Sequence, residues 1–300
     1  MIHAAMLLVM GAGMLAWRPC RAAEGRAPRA AVAMLMAGAA AVWVSSFALV
    51  VAAVTGELGS PVEACGILWR QIVAGDVGWW RSALLALWLA ILPLRSGWEL
   101  APTLRCTRRL KRRLLSAGRP LPGRPNVTLV SGLGTTAVTV GTMRPVILVD
   151  EEFWDAAGML ERAVVIDHED AHRRGRHGIL DLVARFLTVP LPCMSDVYEC
   201  VRRHLEALAD DVAVRTYGRQ AVGAALGRIA LAGYPSAGLG AAGAAVWRVQ
   251  RLVAPSRKGR WRDRLLLSGA AAGLVVAIVE VVAETALALG PVADPAFCHL

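Results

Sequence analysis

The chain has 300 residues, of which 56% are hydrophobic and 19% are charged, and its mean hydropathy is +0.49. This composition is too apolar for an ordinary soluble protein and too charged for one embedded wholly in a bilayer, so part of the chain is expected to lie in lipid. The net charge of +10 comes from basic residues that cluster beside apolar runs. Because that pattern is typical of membrane topology and no nucleic-acid-binding signature is present, direct nucleic acid binding is not expected.

Residues 1–104 predict a membrane domain with three transmembrane helices. Three apolar runs are about long enough to cross a bilayer, at residues 2–17, 31–54 and 79–94. Between the first two, residues 18–29 carry four arginines against one acid, and such positive loops face the cytoplasm. The loop at residues 57–76 is acidic and is therefore expected outside, which also places the N-terminus outside.

A dense basic block at residues 105–113 opens a predicted cytoplasmic domain that extends to residue 264. Directly after a membrane span, such a block is expected to contact anionic lipid headgroups rather than nucleic acid. Short runs rich in β-branched residues then predict strands at 127–130, 137–140 and 145–149. The last of these is the best candidate for an edge strand, to which an extended peptide can add, but the sequence is equally consistent with an ordinary core strand.

The chemistry of this domain is predicted by an H-E-x-x-H motif in a helix expected over residues 159–174. His168 and His172 lie one turn apart on the same helical face, so both imidazoles can reach one ion, and zinc suits that pair. Glu169 is rotated off the metal axis, where its carboxylate can take a proton from a metal-bound water molecule. The motif therefore predicts hydrolytic chemistry. The alternative is a surface helix that carries two histidines by chance.

A catalytic zinc needs a third protein ligand, and a helix predicted over residues 195–217 carries the candidates. Glu206 is favoured because Asp210 follows it by one turn and can accept a hydrogen bond from the free ring nitrogen of a ligand histidine. His204 is the rival, but it points about 200° around the helix from Glu206. A solvated acidic stripe is the alternative explanation of Glu206 and Asp210, and it is weakened by the apolar residues between them.

These features resemble the integral-membrane zinc metallopeptidases related to the BlaR/MecR β-lactam sensors, which are of the gluzincin type. The resemblance is carried by His168-Glu169-Asp170-Ala171-His172, Glu206-Ala207-Leu208-Ala209-Asp210 and Arg144-Pro145-Val146-Ile147-Leu148, together with the flanking apolar runs. It implies zinc ligands at His168, His172 and Glu206. It also implies a catalytic base at Glu169 and a supporting contact from Asp210, in a domain that faces the cytoplasm.

The resemblance further implies a protein or peptide substrate on the cytoplasmic side, since the familiar substrate of the family is a cytoplasmic transcriptional repressor. The sensor members carry an external penicillin-binding domain after their last span. This chain stops about ten residues beyond Gly290, so β-lactam sensing by that route is not expected.

The remaining segments complete the predicted topology. Residues 221–245 are rich in alanine and glycine and predict loosely specified helix and loop without chemistry. Residues 265–290 predict a fourth transmembrane helix, which leaves residues 291–300 as a short external tail.

The six cysteines form no C-x-x-C pair, which argues against a zinc knuckle or a thioredoxin-type site. Under the predicted topology, Cys65 and Cys298 are both external and can pair in an oxidising compartment, with two free thiols as the alternative. The other cysteines are expected to stay reduced, namely Cys20, Cys106, Cys193 and Cys200.

The predicted fold is a multi-span α-helical membrane protein with an inserted α+β gluzincin-type zinc metallopeptidase domain. It is expected in the cell membrane, with both termini outside. The predicted function is a membrane-anchored zinc-dependent endopeptidase that cleaves a cytoplasmic protein in signalling. A non-catalytic pseudo-peptidase that signals by binding, and a quality-control protease for membrane proteins, are the alternatives. His204 and Tyr198 are the weak candidates for stabilising an oxyanion.

Overall fold

The computed structural model of the protein describes residues 11–13, 27–55, 79–191, 194–232, 241–253, 265 and 268–279. These residues form a mostly helical structure around one small mixed sheet. Two long helices come first, α1 (Pro28–Thr55) and α2 (Trp79–Ala117). The strands are β1 (Arg119–Leu121), β2 (Arg124–Val130), β3 (Ala137–Val140) and β4 (Val146–Asp150). The later helices are α3 (Glu151–Ala156), α4 (Met159–Arg174), α5 (His177–Thr188), α6 (Ser195–Tyr217), α7 (Arg219–Leu231), α8 (Ala241–Val253) and α9 (Ser268–Val279).

α1 is both an apolar helix and part of the protein core. It begins at Pro28, a position where the missing backbone N–H of proline costs no helical hydrogen bond. Its stretch Pro28–Phe47 has a mean hydropathy of 1.8 and is long and apolar enough to cross a membrane, yet 56% of that stretch is buried inside the protein. The burial arises because Val32, Leu35 and Ala39 pack in one cluster with side chains of α5 and α6.

The prediction of a multi-span membrane protein is wrong for the part of the chain that the structure describes. There, α1 alone is long and apolar enough to span a membrane. The predicted third span is the first part of α2, a 39-residue helix that continues through Arg95 and Glu99 into the basic block. Within the predicted fourth span, the described residues form α9, which is apolar but shorter than a membrane span, and residues 266–267 and 280–290 lie outside the described residues. The predicted first span, apart from residues 11–13, and the external tail lie outside the described residues.

Apolar runs misled this prediction for a physical reason. A helix that packs its apolar side chains against other helices removes them from water as effectively as a bilayer does. An apolar run therefore predicts burial without saying whether protein or lipid provides it. The domain limits at residues 104 and 264 stay predictions.

The sheet has the strand order β1-β2-β4-β3, in which β2 and β4 are parallel and the other neighbours are antiparallel. β4 lies in its interior, and the side chains of Ile147, Leu148 and Val149 are at most 1% exposed. The prediction of an edge strand at residues 145–149 is therefore wrong, because β-branched composition predicts a strand but not its neighbours. In the described residues, β3 pairs with β4 alone and forms one edge of the sheet, with β1 at the other.

The motif helix α4 has the predicted bounds and is held on two sides. Val165 and Ile166 pack with the buried residues of the sheet. Val164 packs with Ala213 of α6 and Val222 of α7 instead. Since burying an aliphatic side chain of this size contributes about 1.5–3 kcal/mol, these contacts fix how α4 presents its polar face.

The described part of the segment after α6 is more regularly helical than its composition predicts. α6 ends at Tyr217 and is followed by the capping residue Gly218, whose φ of +81° is a conformation that glycine adopts without steric cost. The described alanine- and glycine-rich residues then lie mainly in α7 and the first part of α8, and residues 233–240 between them are outside the described residues. Val222 and Ala225 of α7 are fully buried and pack in one cluster with Leu252 of α8. Small side chains here allow close contact between helices rather than a loose loop.

The cysteines follow the predicted pattern only in part. Cys106 is free and exposed, as expected. Cys200 is disulfide-bonded, so the prediction that it stays reduced is wrong. A disulfide depends on the distance between two cysteines in the folded chain, which spacing in the sequence does not reveal. The other cysteines lie outside the described residues, namely Cys20, Cys65, Cys193 and Cys298. The predicted pair of Cys65 and Cys298 is among them.

Candidate metal centre

α4 and α6 bring three potential metal ligands together. The Nε2 atoms of His168 and His172 are 3.1 Å apart. From α6, Glu206 places Oε2 at 3.4 Å from Nε2 of His168 and Oε1 at 3.5 Å from Nε2 of His172. One ligand atom from each of the three residues lies within 4.8 Å of the others, so the group can hold one metal ion.

Small residues on α6 make this convergence possible. Ala207, Ala209 and Ala213 are completely buried. Because the distance between two packed helices depends on the side chains at their contact, alanines let the α6 backbone approach closely. The short glutamate side chain then suffices to reach the histidines of α4. The apolar turn that favoured Glu206 in the sequence is thus the packed face of the helix.

Asp210 lies behind His168, at the ring nitrogen that faces away from Glu206. Its Oδ1 is 3.1 Å from Nδ1 of His168, and its side chain is 1% exposed. A carboxylate at this position accepts a hydrogen bond from Nδ1–H of His168 and leaves Nε2 free for a metal. Burial opposes ionisation of Asp210, but Arg248 and the hydrogen bond with His168 hold the pKa of its carboxyl well below the ordinary value.

The electrostatics of the three-residue group favour a cation. Burial and Arg248 both oppose a proton on His168, yet hydrogen bonds to Asp210 and Glu206 outweigh them and raise its pKa to about 9. Burial likewise opposes charge on Glu206, but His172 and His168 keep its pKa well below the ordinary value. Burial lowers the pKa of His172 to about 4, so this imidazole is neutral at physiological pH, as a metal ligand must be.

Glu169 faces the same cavity, and a residue of the sheet holds its side chain in place. The Thr139 hydroxyl, on β3, lies 2.8 Å from Oε2 of Glu169 and 2.8 Å from its backbone oxygen. Burial raises the pKa of the Glu169 carboxyl, against the opposing effects of His168 and the hydrogen bond from Thr139. A raised pKa is what a carboxylate needs to act as a general base near neutral pH.

Two contacts of this centre were missed by the sequence analysis. His177, at the start of α5, places its Nδ1 2.9 Å from Nδ1 of His172. Burial, followed by the charge of His172, lowers the pKa of His177 to about 4. Arg248 of α8 approaches Glu206 and Asp210 from the other side. The only sequence signal for His177 was a third histidine five residues after the motif, and Arg248 gave none beyond an arginine in an apolar context.

His204 and Tyr198 take no part in the cavity. His204 is 1% exposed, and neither of its ring nitrogens has a hydrogen-bond partner among the described residues. Burial lowers its pKa to about 4. Tyr198 donates a hydrogen bond of 3.1 Å to Asp181, and burial raises its pKa to about 12. Neither side chain lines the cavity, which leaves the oxyanion role without support for either.

The cavity has a volume of about 220 Å³ and is bordered by the edge strand. Ala137, Val138 and Thr139 of β3 line it beside the histidines, and Leu226 and Ile229 of α7 add apolar surface. A polar group that could hold a cation, a strand edge left unpaired by the described residues, and apolar side chains therefore surround one space. Such an arrangement can hold an extended chain next to a metal.

Comparison of the chain with family models, with curated proteins and with solved structures finds no match.

Proposed function

We propose that the protein is a zinc-dependent endopeptidase. The observation that carries this proposal is the convergence of His168, His172 and Glu206 beside Glu169 in one cavity. Two histidines and a glutamate are the donor set of catalytic zinc sites that keep one position open for chemistry. Residues that serve only to hold a structural metal would have no need of the fourth group, Glu169, on the same helix.

The proposed roles follow from the contacts. His168, His172 and Glu206 hold the zinc ion, which when bound supplies Lewis-acid chemistry by polarising a carbonyl and making a water molecule more acidic. Glu169 takes the proton of the attacking water and returns it to the leaving amine. Thr139 orients the Glu169 carboxylate through its hydroxyl, and Asp210 keeps His168 in the tautomer whose Nε2 is free.

The proposed substrate is an extended segment of a protein. β3 offers it an edge, since Val138 and Thr139 are only half-buried and both border the cavity. A peptide that pairs with this edge gains main-chain hydrogen bonds and passes Glu169. A cytoplasmic transcriptional repressor is the substrate implied by the family resemblance, and this identity is part of the proposal.

Removal of the metal tests this function. Chelation followed by dialysis should abolish cleavage of a fluorescently labelled unfolded polypeptide, and zinc should restore it. Zinc that binds the folded protein but not the unfolded chain stabilises the fold. The thermal midpoint should therefore be about 5–10 °C lower without metal than with zinc at about 100 times its Kd. Cleavage that persists in the metal-free protein would contradict the proposal, with metal content measured by mass spectrometry as the control.

We further propose that the protein is attached to a lipid bilayer. α1 contains the apolar stretch Pro28–Phe47. On α2, Leu87, Ile91, Leu94 and Trp98 follow helical spacing along one face and are exposed, Trp98 by 81%. The basic block of residues 105–113 comes next on the same helix, which suits apolar contact with lipid beside contact with anionic headgroups.

Replacing Leu94 and Trp98 together by glutamate should weaken attachment to vesicles of phosphatidylcholine and phosphatidylserine. We expect a loss of about tenfold for each residue, since burial of a large apolar side chain contributes about 1.5–3 kcal/mol. Flotation of the purified protein with vesicles measures it. Met143→Glu is the matched control, because Met143 is 78% exposed but lies between β3 and β4 rather than on the apolar face of α2. Equal flotation of all three proteins would contradict attachment through this face.

A further inference from the structure

Arg248 is a buried cation inside the candidate metal centre. It lies on α8 and is only 7% exposed. A guanidinium is buried only where carboxylates or other acceptors surround it, because its desolvation is otherwise too costly. The partners of Arg248 are residues of the proposed zinc site itself, so its function is tied to that site rather than to the protein surface.

The closest contacts of Arg248 are with Asp210. Nη2 lies 2.6 Å from Oδ1 and Nε lies 3.0 Å from Oδ2, so the guanidinium binds both carboxylate oxygens. This paired geometry fixes the plane of the carboxylate as well as its position. The Oδ1 atom that Arg248 holds is the one that lies 3.1 Å from Nδ1 of His168.

Arg248 also reaches two of the proposed ligands directly. Its Nη1 lies 3.3 Å from Oε2 of Glu206, and its Nη2 lies 3.2 Å from Nδ1 of His168. Glu169, Glu206 and Asp210 bring three carboxylates to the metal group, while Asp181, a fourth that lines the cavity, is paired with Arg202. A zinc ion with two neutral histidines would leave this buried group with a net negative charge, and one guanidinium balances it.

We propose that Arg248 is a positioning residue of the metal centre: it orients Asp210 so that His168 presents Nε2 to the ion, and it balances the carboxylates. The inference deepens the proposed function and rests on it. A guanidinium repels a metal cation, which by itself would weaken zinc binding. The contacts with Asp210 are the shorter ones, however. Loss of Arg248 therefore leaves a buried carboxylate whose remaining partner among the described residues is His168, and whose orientation is no longer fixed.

Arg251 supplies a matched control on the same helix. It lies one turn after Arg248 and also binds α6, with Nη2 2.6 Å from Oδ1 of Asp211. It therefore holds α8 on α6 as Arg248 does, but it does not line the cavity. A role in packing alone would make both arginines equivalent for zinc.

The test is zinc affinity of the full-length protein, measured by competition with a chromophoric chelator, with circular dichroism and thermal midpoints recorded in parallel. Arg248→Gln should weaken zinc binding about 10- to 100-fold, the range typical for loss of a hydrogen-bond partner behind a metal ligand. The zinc affinity of Arg248→Lys should fall between those of the wild type and Arg248→Gln, because an ammonium keeps the charge but cannot bind both oxygens in one plane. Arg251→Gln should lower the thermal midpoint while leaving zinc affinity near that of the wild type.

Each contrary result overturns the inference. Wild-type zinc affinity in Arg248→Gln, tighter binding, or an equal loss in Arg251→Gln would reduce Arg248 to a packing residue. If Arg248→Gln does not fold, Arg248→Lys decides, and wild-type affinity in that variant would be fatal to the inference. Failure of the wild-type protein to bind zinc would instead overturn the metal centre, and this inference with it.

Discussion

Replacing Glu169 with glutamine should lower the rate of peptide cleavage about 10²- to 10⁴-fold, the range expected for loss of a general base, while zinc stays bound. Glutamine has the shape of glutamate and can still accept the hydrogen bond from Thr139, so the cavity should keep its geometry. What the amide lacks is the capacity to take a proton. The prediction therefore separates catalysis from metal binding.

The measurement combines zinc content per protein with the cleavage rate of a labelled unfolded polypeptide. Asp170→Asn is the matched control, because it removes the neighbouring carboxylate on the same helix. Asp170 pairs with Arg173 and Arg174 and does not line the cavity. Zinc bound by Glu169→Gln together with an unchanged cleavage rate would contradict the proposed mechanism and favour a non-catalytic protein.

Replacing Glu206 with alanine should reduce zinc affinity strongly, because a direct ligand is removed. The loss should exceed the roughly 10- to 100-fold that removal of a supporting hydrogen bond behind a ligand causes. Of the described residues, Glu206 completes the group with His168 and His172. His204→Ala removes a side chain two residues earlier on the same helix, one that does not line the cavity. Zinc affinity should therefore survive this second change.

Metal competition assays and thermal midpoints distinguish the two variants. His204 is buried, and both of its ring nitrogens are unpaired among the described residues. Its removal therefore lowers the free energy of unfolding by leaving a cavity and raises it by removing two unsatisfied polar atoms. Its effect should appear in the thermal midpoint and not in zinc affinity. Zinc loss from His204→Ala with none from Glu206→Ala would reverse the assignment of the third ligand.

The sequence by itself determined the local parts of the site, because these depend on helical periodicity. His168 and His172 are one turn apart in any α-helix, and Glu206 and Asp210 are related in the same way. The bounds of α4 were equally predictable, since Gly175 ends the periodic pattern. Even the preference for Glu206 over His204 followed from angles around one helix.

Contacts between distant segments were decided by the tertiary structure. Arg248 is 38 residues from Asp210 in sequence, and no periodicity links them. The order of the strands placed β4 inside the sheet and β3 at its edge, although both have β-branched composition. α1 has an apolar sequence whether protein or lipid covers it, and more than half of its apolar stretch packs inside the protein. Composition sets which side chains leave water, whereas the three-dimensional arrangement of the chain sets what they contact.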